Sequence, residues 1–260
     1  MAHEPNSAEL WDRVWRDVPD ADAHRQAVAA EARTIRWQRI ETRVRAAFGD
    51  FRALNVIEIG AGAGTNAALM AQRGAQVTLL DYSERALLRA RELFAANDVR
   101  AEFVRANALQ FSDALRGSFD VAMSFGLNEH FTGKERVQIF QAHLDALRAG
   151  GLAFVSVPNA HNPPYRMFKW VAQTTHRWKL GVEIPFTRAE LESICAQLGV
   201  REYEFFGDSF LASWQFVNPL RYLRNRTAAS RAQKVDASPE RGTRLDERWS
   251  YATVLMMRKP

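Results

Sequence analysis

The pattern of apolar and polar residues changes along the chain. The change comes after the first fifth of the sequence. In the first part, apolar residues recur at helical spacing, as at Ile35, Val44 and Phe48. Beyond it, short apolar runs typical of buried strands alternate with amphipathic stretches of helical period. We therefore predict an N-terminal helical extension or lid over residues 1–50 and one α/β domain over residues 51–260.

The α/β domain contains seven predicted strands and four predicted helices. The strands are placed at 54–59, 76–80, 101–105, 119–124, 151–157, 200–206 and 248–257, and the helices at 65–73, 84–96, 134–148 and 187–198. Strands that alternate with helices are typical of a parallel sheet with helices on both faces. A ligand of such a sheet is expected beyond the carboxyl ends of the strands.

Two long connections interrupt this alternation. Residues 158–181 are rich in proline, aromatic and basic residues, and residues 207–247 include a basic stretch with weak patterning. Connections of this length are usually functional or disordered. We expect the part around 227–243 to be flexible and the rest of the two inserts to form a lid.

A glycine-rich turn follows the first strand, with the pattern E-x-G-x-G-x-G from Glu58 through Gly60, Gly62 and Gly64. Because glycine has no side chain, a ligand can approach the backbone of such a turn closely. A dinucleotide fingerprint would need glycine at the next position, which is Thr65. The turn therefore favours another nucleotide-like ligand, and a purely structural turn is the alternative.

Polar residues end the next two strands at positions suited to an adenosine group. Asp81 ends the second strand, where its carboxylate could accept both hydroxyls of a ribose. The alternative role for Asp81 is to cap the helix that begins near Ser83. Asn107 and Ala108 end the third strand, where an amide and a small neighbour suit the edge of an adenine.

The series of elements resembles the class I S-adenosylmethionine-dependent methyltransferases over residues 54–206 and the last strand. Five features in order carry the resemblance: the glycine turn, the strand-end Asp81, the Asn107–Ala108 pair, the Glu129–His130 pair after the fourth strand, and a Gly150–Gly151 turn before the fifth. The resemblance implies an α/β, Rossmann-like sheet of seven mostly parallel strands with the last strand antiparallel. Helices would cover both faces.

The resemblance also implies S-adenosylmethionine as the cofactor and S-adenosylhomocysteine as its product. The glycine turn would pass under the methionine part, Glu58 would orient its amino group, Asp81 would hold the ribose, and Tyr82 would lie against the adenine. The family most often has aspartate where this chain has Asn107. The cofactor-binding residues implied in this way are Glu58, Gly60, Ala61, Gly62, Gly64, Asn66, Asp81, Tyr82, Asn107, Ala108, Phe125 and Gly126.

Glu129 and His130 are the catalytic candidates, because they leave the fourth strand where the resemblance places the transferring methyl group. Histidine has an ordinary pKa near ~6.5, which suits proton removal from an acceptor hydroxyl. Glu129 would orient the ring or accept the proton, and the alternative for His130 is a packing role. Some family members bind a metal through a similar pair, with an acid three residues earlier. That position is Gly126 here, so no metal is predicted, and metal binding by the Glu129–His130 pair is the alternative.

Composition and charge indicate the cellular location of the protein. The net charge of +5 is mildly basic, and a single cysteine, Cys195, fits a reducing compartment. No apolar run approaches the ~20 residues of a membrane span. We therefore predict a cytoplasmic protein, or one in peripheral contact with a membrane. The sequence predicts no oligomeric state.

The inserts suggest the class of acceptor. Arg166, Lys169 and Arg177 are interleaved with aromatic residues, and no acid lies among them. Such a segment suits a cap over a small or amphiphilic acceptor, a surface resting on anionic lipid, or ordinary packing. Trp11 and Trp15, four residues apart, suit helical packing and a lid over the cofactor equally.

We expect a small-molecule, glycan or lipid-linked acceptor and no nucleic acid, because no RNA-binding module is recognisable. Two other classes of protein remain as alternatives. An NAD(P)-dependent oxidoreductase is disfavoured by Thr65 and by the lack of a second substrate domain. A non-catalytic regulator that binds the adenosyl cofactor is the other.

Overall fold

The computed structural model describes residues 6–17, 19–110, 112–178, 180–217 and 242–260, and its centre is one seven-stranded sheet. The strands follow the order β3-β2-β1-β4-β5-β7-β6. Their bounds are β1 Asn55–Ile59, β2 Gln76–Asp81, β3 Glu102–Arg105, β4 Phe119–Phe125, β5 Leu147–Pro158, β6 Tyr203–Gly207 and β7 Ala252–Arg258. β7 runs antiparallel between β5 and β6, and the pairs among β1 to β5 are parallel. The predicted fold class is confirmed.

Helices precede the sheet and connect its strands. In the described part of the chain they are α1 Ala8–Val14, α2 Ala21–Glu31, α3 Ile35–Phe48, α4 Thr65–Gln72, α5 Glu84–Ala96, α6 Glu135–Ala146, α7 Pro163–Thr174, α8 Arg188–Gln197, α9 Phe210–Ser213 and α10 Asp246–Trp249. Short 3₁₀ turns include Asn128–His130 and Trp214–Val217. Among the described residues, no helix has both the length and the apolar character that crossing a bilayer requires.

Two apolar clusters hold the helices against the sheet, one on each face. Successive residues of β1 point to opposite faces, because side chains alternate along a strand. Val56 belongs to the cluster that includes Trp37 of α3 and Met70 of α4, and Ile57 belongs to the one that includes Phe140 of α6. The predicted cover of helices on both faces is therefore present.

The start of β5 differs from the prediction. The sequence places a helix to residue 148 and a Gly150–Gly151 turn, but α6 ends at Ala146 and β5 begins at Leu147. Pairing with β4 shifts register between Phe119 and Val121, and Gly150 has a φ of +77° within this irregular stretch. The two glycines therefore lie in a strand irregularity, and the predicted turn is wrong.

Both inserts contain helical structure that the sequence pattern missed. α7 begins with two prolines, which resemble a break but fit the first turn of a helix because no N–H is needed there. Asn162 caps it by accepting a hydrogen bond from the Tyr165 N–H at 2.8 Å. The second insert holds α9, a 3₁₀ turn and α10. Residues 218–241 lie outside the described residues, as does most of the stretch predicted to be flexible, 227–243.

Candidate active site

The glycine turn after β1 is held in a left-handed backbone conformation. Gly60, Gly62 and Gly64 have φ values of +63°, +54° and +71°. A Cβ on Gly60 would lie 2.5 Å from Leu127 Cδ1, and one on Gly62 would lie 2.6 Å from Trp15 Cζ2. Both conformation and space therefore require glycine. The room at Gly60 and Gly62 is limited by the protein's own side chains.

A cavity of about 220 Å³ opens beside this turn, at the carboxyl ends of the parallel strands. Its walls come from the ends of β1, β2, β3 and β4, which meet at the same edge of the sheet. The predicted residues that line it are Gly60, Ala61, Gly62, Asp81, Tyr82, Asn107, Ala108, Phe125, Gly126 and His130.

Three predicted cofactor-binding residues lie behind the cavity wall. Glu58 accepts a hydrogen bond from the Ala67 N–H at 2.8 Å, so its carboxylate caps α4, and burial raises its pKa to about 8. A Cβ on Gly64 would lie 2.4 Å from Leu79, which makes Gly64 a contact between helix and sheet. Asn66 is buried within α4.

Asp81 lies at the cavity wall with its carboxylate held by the backbone. The Gly62 N–H donates to Oδ2 and the Ser83 N–H donates to Oδ1, both at 2.9 Å. Burial raises the Asp81 pKa, and these backbone hydrogen bonds oppose the rise. The cap of α5 is Ser83, whose Oγ accepts from the Ala86 N–H. Asp81 is thus aimed at the cavity while joining the glycine turn to β2.

Asn107, which is predicted to face the edge of the adenine, uses part of its hydrogen-bonding capacity within the chain. Its Oδ1 accepts a hydrogen bond from the Leu109 N–H at 2.9 Å. This amide oxygen therefore already has one partner, and its second lone pair would serve a ligand.

α1 covers the cavity from the N-terminal side. Asn6 Oδ1 accepts hydrogen bonds from the Tyr82 hydroxyl at 2.7 Å and from Trp11 Nε1 at 2.5 Å. The Trp11 ring lies edge-on to His130, with a centroid separation of 4.8 Å. Asn6, Trp11 and Trp15 all line the cavity. Sequence spacing picked out the two tryptophans but gave no signal for Asn6.

His130 lies in the 3₁₀ turn that follows β4. Its Nδ1 is 2.6 Å from the Val182 carbonyl oxygen, so this nitrogen carries the proton and donates it, and Nε2 is the acceptor. Burial lowers the His130 pKa to about 4, the Val182 contact opposes that shift, and Lys169 adds to it. The imidazole is therefore neutral at pH 7.

Glu129 is buried beside His130, but it is not among the described residues that line the cavity. Its Oε1 lies 3.4 Å from where a Cβ on Gly126 would be, and Gly126 lines the cavity. Its Oε2 has no hydrogen-bond partner among the described residues. Burial, and then the nearby charge of Glu183, raise the Glu129 pKa to about 8. A carboxyl group in this state can exchange a proton near neutral pH.

Glu183 completes a cluster that sequence reasoning missed. The Tyr165 hydroxyl donates to Glu183, and Lys169 Nζ lies 3.5 Å from its Oε1. Burial raises the Glu183 pKa to about 7. Ligand atoms of Glu129, His130 and Glu183 all lie within 4.8 Å of one another. Two carboxylates and an imidazole are donors that suit a divalent cation.

The architecture is that of Rossmann-like methyltransferases. It combines a seven-stranded sheet that has an antiparallel β7 with a cavity lined by a glycine turn and by the acidic end of β2. Residues 56–151 match the family described as "Methyltransferase domain". This match, the fold and the cavity support a class I S-adenosylmethionine-dependent methyltransferase with S-adenosylmethionine as its cofactor.

Comparisons with individual proteins agree with this class. The ubiquinone biosynthesis O-methyltransferase of Neisseria meningitidis serogroup C is 31% identical over 163 residues, which are 58% of this chain and 65% of that protein. Magnesium protoporphyrin IX methyltransferase from Synechocystis PCC 6803, solved with S-adenosylhomocysteine, gives a TM-score of 0.54 at 14% identity over 97% of this chain and 93% of that one.

A third comparison shows that a similar fold occurs in a protein named for a different reaction. The [4+2]-cyclase SpnF gives a TM-score of 0.56 at 17% identity, over 85% of this chain and 80% of that one. Likeness at this level of identity establishes the fold alone. The chain also spans only about two thirds of the Neisseria relative's length. The acceptor must therefore be argued from this chain's own residues.

Proposed function

We propose that the protein methylates an oxygen atom of a small-molecule, glycan or lipid-linked acceptor. The observation that carries the proposal is the buried pair Glu129 and His130, of which His130 lines the cavity next to residues suited to hold an adenosyl cofactor. The relative named for O-methylation in ubiquinone biosynthesis supports oxygen as the acceptor atom. The location that goes with this proposal is the cytoplasm, with peripheral membrane contact where the acceptor is amphiphilic.

The residues at the turn and the strand ends would bind and align the cofactor. Asp81 would accept hydrogen bonds from the ribose, Tyr82 would contact the adenine, and the glycine turn would pass under the methionine part. When bound, S-adenosylmethionine supplies an electrophilic methyl group, whose bond to sulfur breaks as the acceptor oxygen attacks, leaving S-adenosylhomocysteine. Alignment in such reactions is worth about 7–11 kcal/mol.

Either member of the Glu129–His130 pair would take the proton of the acceptor hydroxyl. His130 has the better geometry, because it lines the cavity and Nε2 is its acceptor nitrogen. Glu129 has the better basicity, because its pKa is raised to about 8 while that of His130 is lowered to about 4. We assign proton removal to the pair, with His130 nearest the acceptor and Glu129 as the stronger base.

We propose that the pair works without a metal. The donor set of Glu129, His130 and Glu183 suits a divalent cation in type and spacing. The ammonium group of Lys169, however, already lies beside Glu183 and supplies the positive charge that a cation would bring. The sequence predicted no metal because Gly126 stands where some family members have an acid. In the structure, Glu183 brings an acid to the pair from another part of the chain.

The proposal is tested with methyl-labelled S-adenosylmethionine and a panel of phenolic, glycan and lipid-linked alcohols. Removing the base with His130→Ala or Glu129→Gln should lower kcat by about 10²–10⁴-fold. S-adenosylhomocysteine affinity should change less than threefold. His161→Ala, which alters an exposed histidine, is the matched control.

Three outcomes would contradict parts of this proposal. Full turnover by both base variants would remove the pair from catalysis. Loss of turnover in chelator, with recovery on adding a divalent cation, would replace the metal-free mechanism. Tight S-adenosylhomocysteine binding with no transfer to any acceptor in the panel would favour the non-catalytic regulator.

A further inference from the structure

α7 presents an apolar face to solvent. Trp170 is 65% exposed, and Met167 and Val171, at helical spacing around it, are also exposed. The opposite face packs inward through Tyr165 and Ala172. A buried helix face is stabilised by the core, but three adjacent exposed apolar side chains add nothing to folding. Contiguous exposed apolar surface on a soluble domain typically marks an interaction site.

A neighbouring segment extends this apolar face. The 3₁₀ turn Trp214–Val217 packs against α7, with the rings of Phe216 and Phe168 5.6 Å apart. Just before and within that turn, Leu211 is 58% exposed and Trp214 is 51% exposed. The two exposed tryptophans, Trp170 and Trp214, therefore belong to two elements that pack against each other. We define the α7 face as Met167, Trp170, Val171, Leu211 and Trp214.

The charge around the α7 face selects the kind of partner. Residues 163–182 contain Arg166, Lys169, His176, Arg177 and Lys179 and no aspartate or glutamate. Arg166 is exposed at the side of the apolar positions, whereas Lys169 turns inward to Glu183. Helices with exposed tryptophan, apolar residues and basic flanks lie in the interface of anionic bilayers.

The α7 face is joined directly to the candidate catalytic residues. Tyr165 of α7 donates to Glu183, and the segment that follows α7 contacts His130 through the Val182 carbonyl. The Ile184 N–H then donates to the Glu129 carbonyl at 2.8 Å. A bilayer in contact with α7 would therefore lie beside the elements that hold the base.

We propose that the α7 face docks the protein on an anionic phospholipid bilayer, so that an amphiphilic acceptor is methylated at the membrane surface. This inference rests on the proposed function for its acceptor, but docking itself is measured independently of transfer.

The test is flotation of the full chain with vesicles of phosphatidylcholine alone and of phosphatidylcholine mixed equally with phosphatidylglycerol. The unaltered chain should float with the anionic vesicles and much less with the neutral ones. Trp170→Ser combined with Trp214→Ser should lower the partition coefficient about tenfold or more, equivalent to roughly 1.4 kcal/mol. Arg166→Glu should lower binding to anionic vesicles only.

The control variant is Leu88→Ser on α5, which alters a 43% exposed apolar residue elsewhere. It should float like the unaltered chain, and all variants should retain S-adenosylhomocysteine affinity. Absence of flotation, or equal loss in Leu88→Ser, would overturn the docking proposal even if transfer to soluble alcohols is observed. So would a dimer in solution that the tryptophan variant dissociates. Flotation without any methyl transfer would leave docking intact and count against the proposed function.

Discussion

At the scale of one residue, burial is the main cause of the lowered pKa of two histidines. His143 lies in α6, fully buried, with Nδ1 2.7 Å from the Ile139 carbonyl oxygen. Burial lowers its pKa to about 4, and the contact with Ile139 opposes the shift. His130 has a similarly low pKa but lines the cavity. The same residue type is thus structural in one place and a catalytic candidate in the other.

We expect His143 to make folding sensitive to acid. Its pKa is lower in the folded chain than in the unfolded one, so the unfolded state binds more protons below about pH 6.5 and stability falls as pH falls. Between pH 7.5 and pH 5 this one group should remove about 2 kcal/mol. His143→Leu should lose correspondingly less stability over that range in urea unfolding. His161→Leu should behave like the unaltered chain, and an unchanged acid loss in His143→Leu would contradict the assignment.

Residues of the site were predictable where strand ends supplied a local signal. Asp81 and Asn107 end apolar runs, and the carboxyl ends of parallel strands necessarily share one edge. Glu183 and Asn6 had no such signal. Glu183 reaches Glu129 only because the chain returns from α7, and Asn6 reaches Tyr82 only because α1 folds over the cavity.

α1 is the element whose role the sequence left undecided between packing and a lid. In the structure its Trp11 contacts His130, and Trp15 lies over Gly62. A polar contact between the Ser83 hydroxyl and Asp12 Oδ1 at 2.6 Å ties the helix to the end of β2. These contacts support our proposal that α1 acts as a cover for the bound cofactor.

Removing a wall of the cavity should weaken cofactor binding. We expect Trp11→Ala to raise the Kd for S-adenosylhomocysteine about tenfold, equivalent to a loss of about 1.4 kcal/mol, measured by calorimetry. Arg16→Ala, at an exposed position just after α1, is the control and should leave the Kd unchanged. Equal affinity for Trp11→Ala and the unaltered chain would show that α1 does not cover the cofactor in solution.

Helices and strands were predicted correctly where the local sequence pattern alone determined their bounds. The α5 prediction of 84–96 matches Glu84–Ala96, because its apolar face and its Ser83 cap agree. α7 was missed because Pro163 and Pro164 resemble a break. The early start of β5 was missed because its irregular pairing with β4 depends on a neighbouring strand.

At the scale of the whole molecule, the cavity beside the glycine turn joins parts of the chain that are distant in sequence. Asn6, Gly62, Asp81, Asn107 and His130 all line it. A ligand that binds this cavity binds only the folded arrangement, and so stabilises the whole fold by mass action. The size of that stabilisation depends on ligand concentration relative to Kd and is independent of catalysis.

We expect S-adenosylhomocysteine at 100 times its Kd to stabilise the folded chain by about 2.7 kcal/mol. For a chain of this size that corresponds to a rise in Tm of roughly 5–10 °C, measured by calorimetry. Asp81→Asn keeps the side chain's size but removes the charge that would hold the ribose hydroxyls, so at the same ligand concentration its rise should be smaller. NADH should produce no rise, because Thr65 breaks the dinucleotide spacing. An equal rise with NADH, or an undiminished rise in Asp81→Asn, would mean that the cavity does not recognise its ligand through the glycine turn and the end of β2.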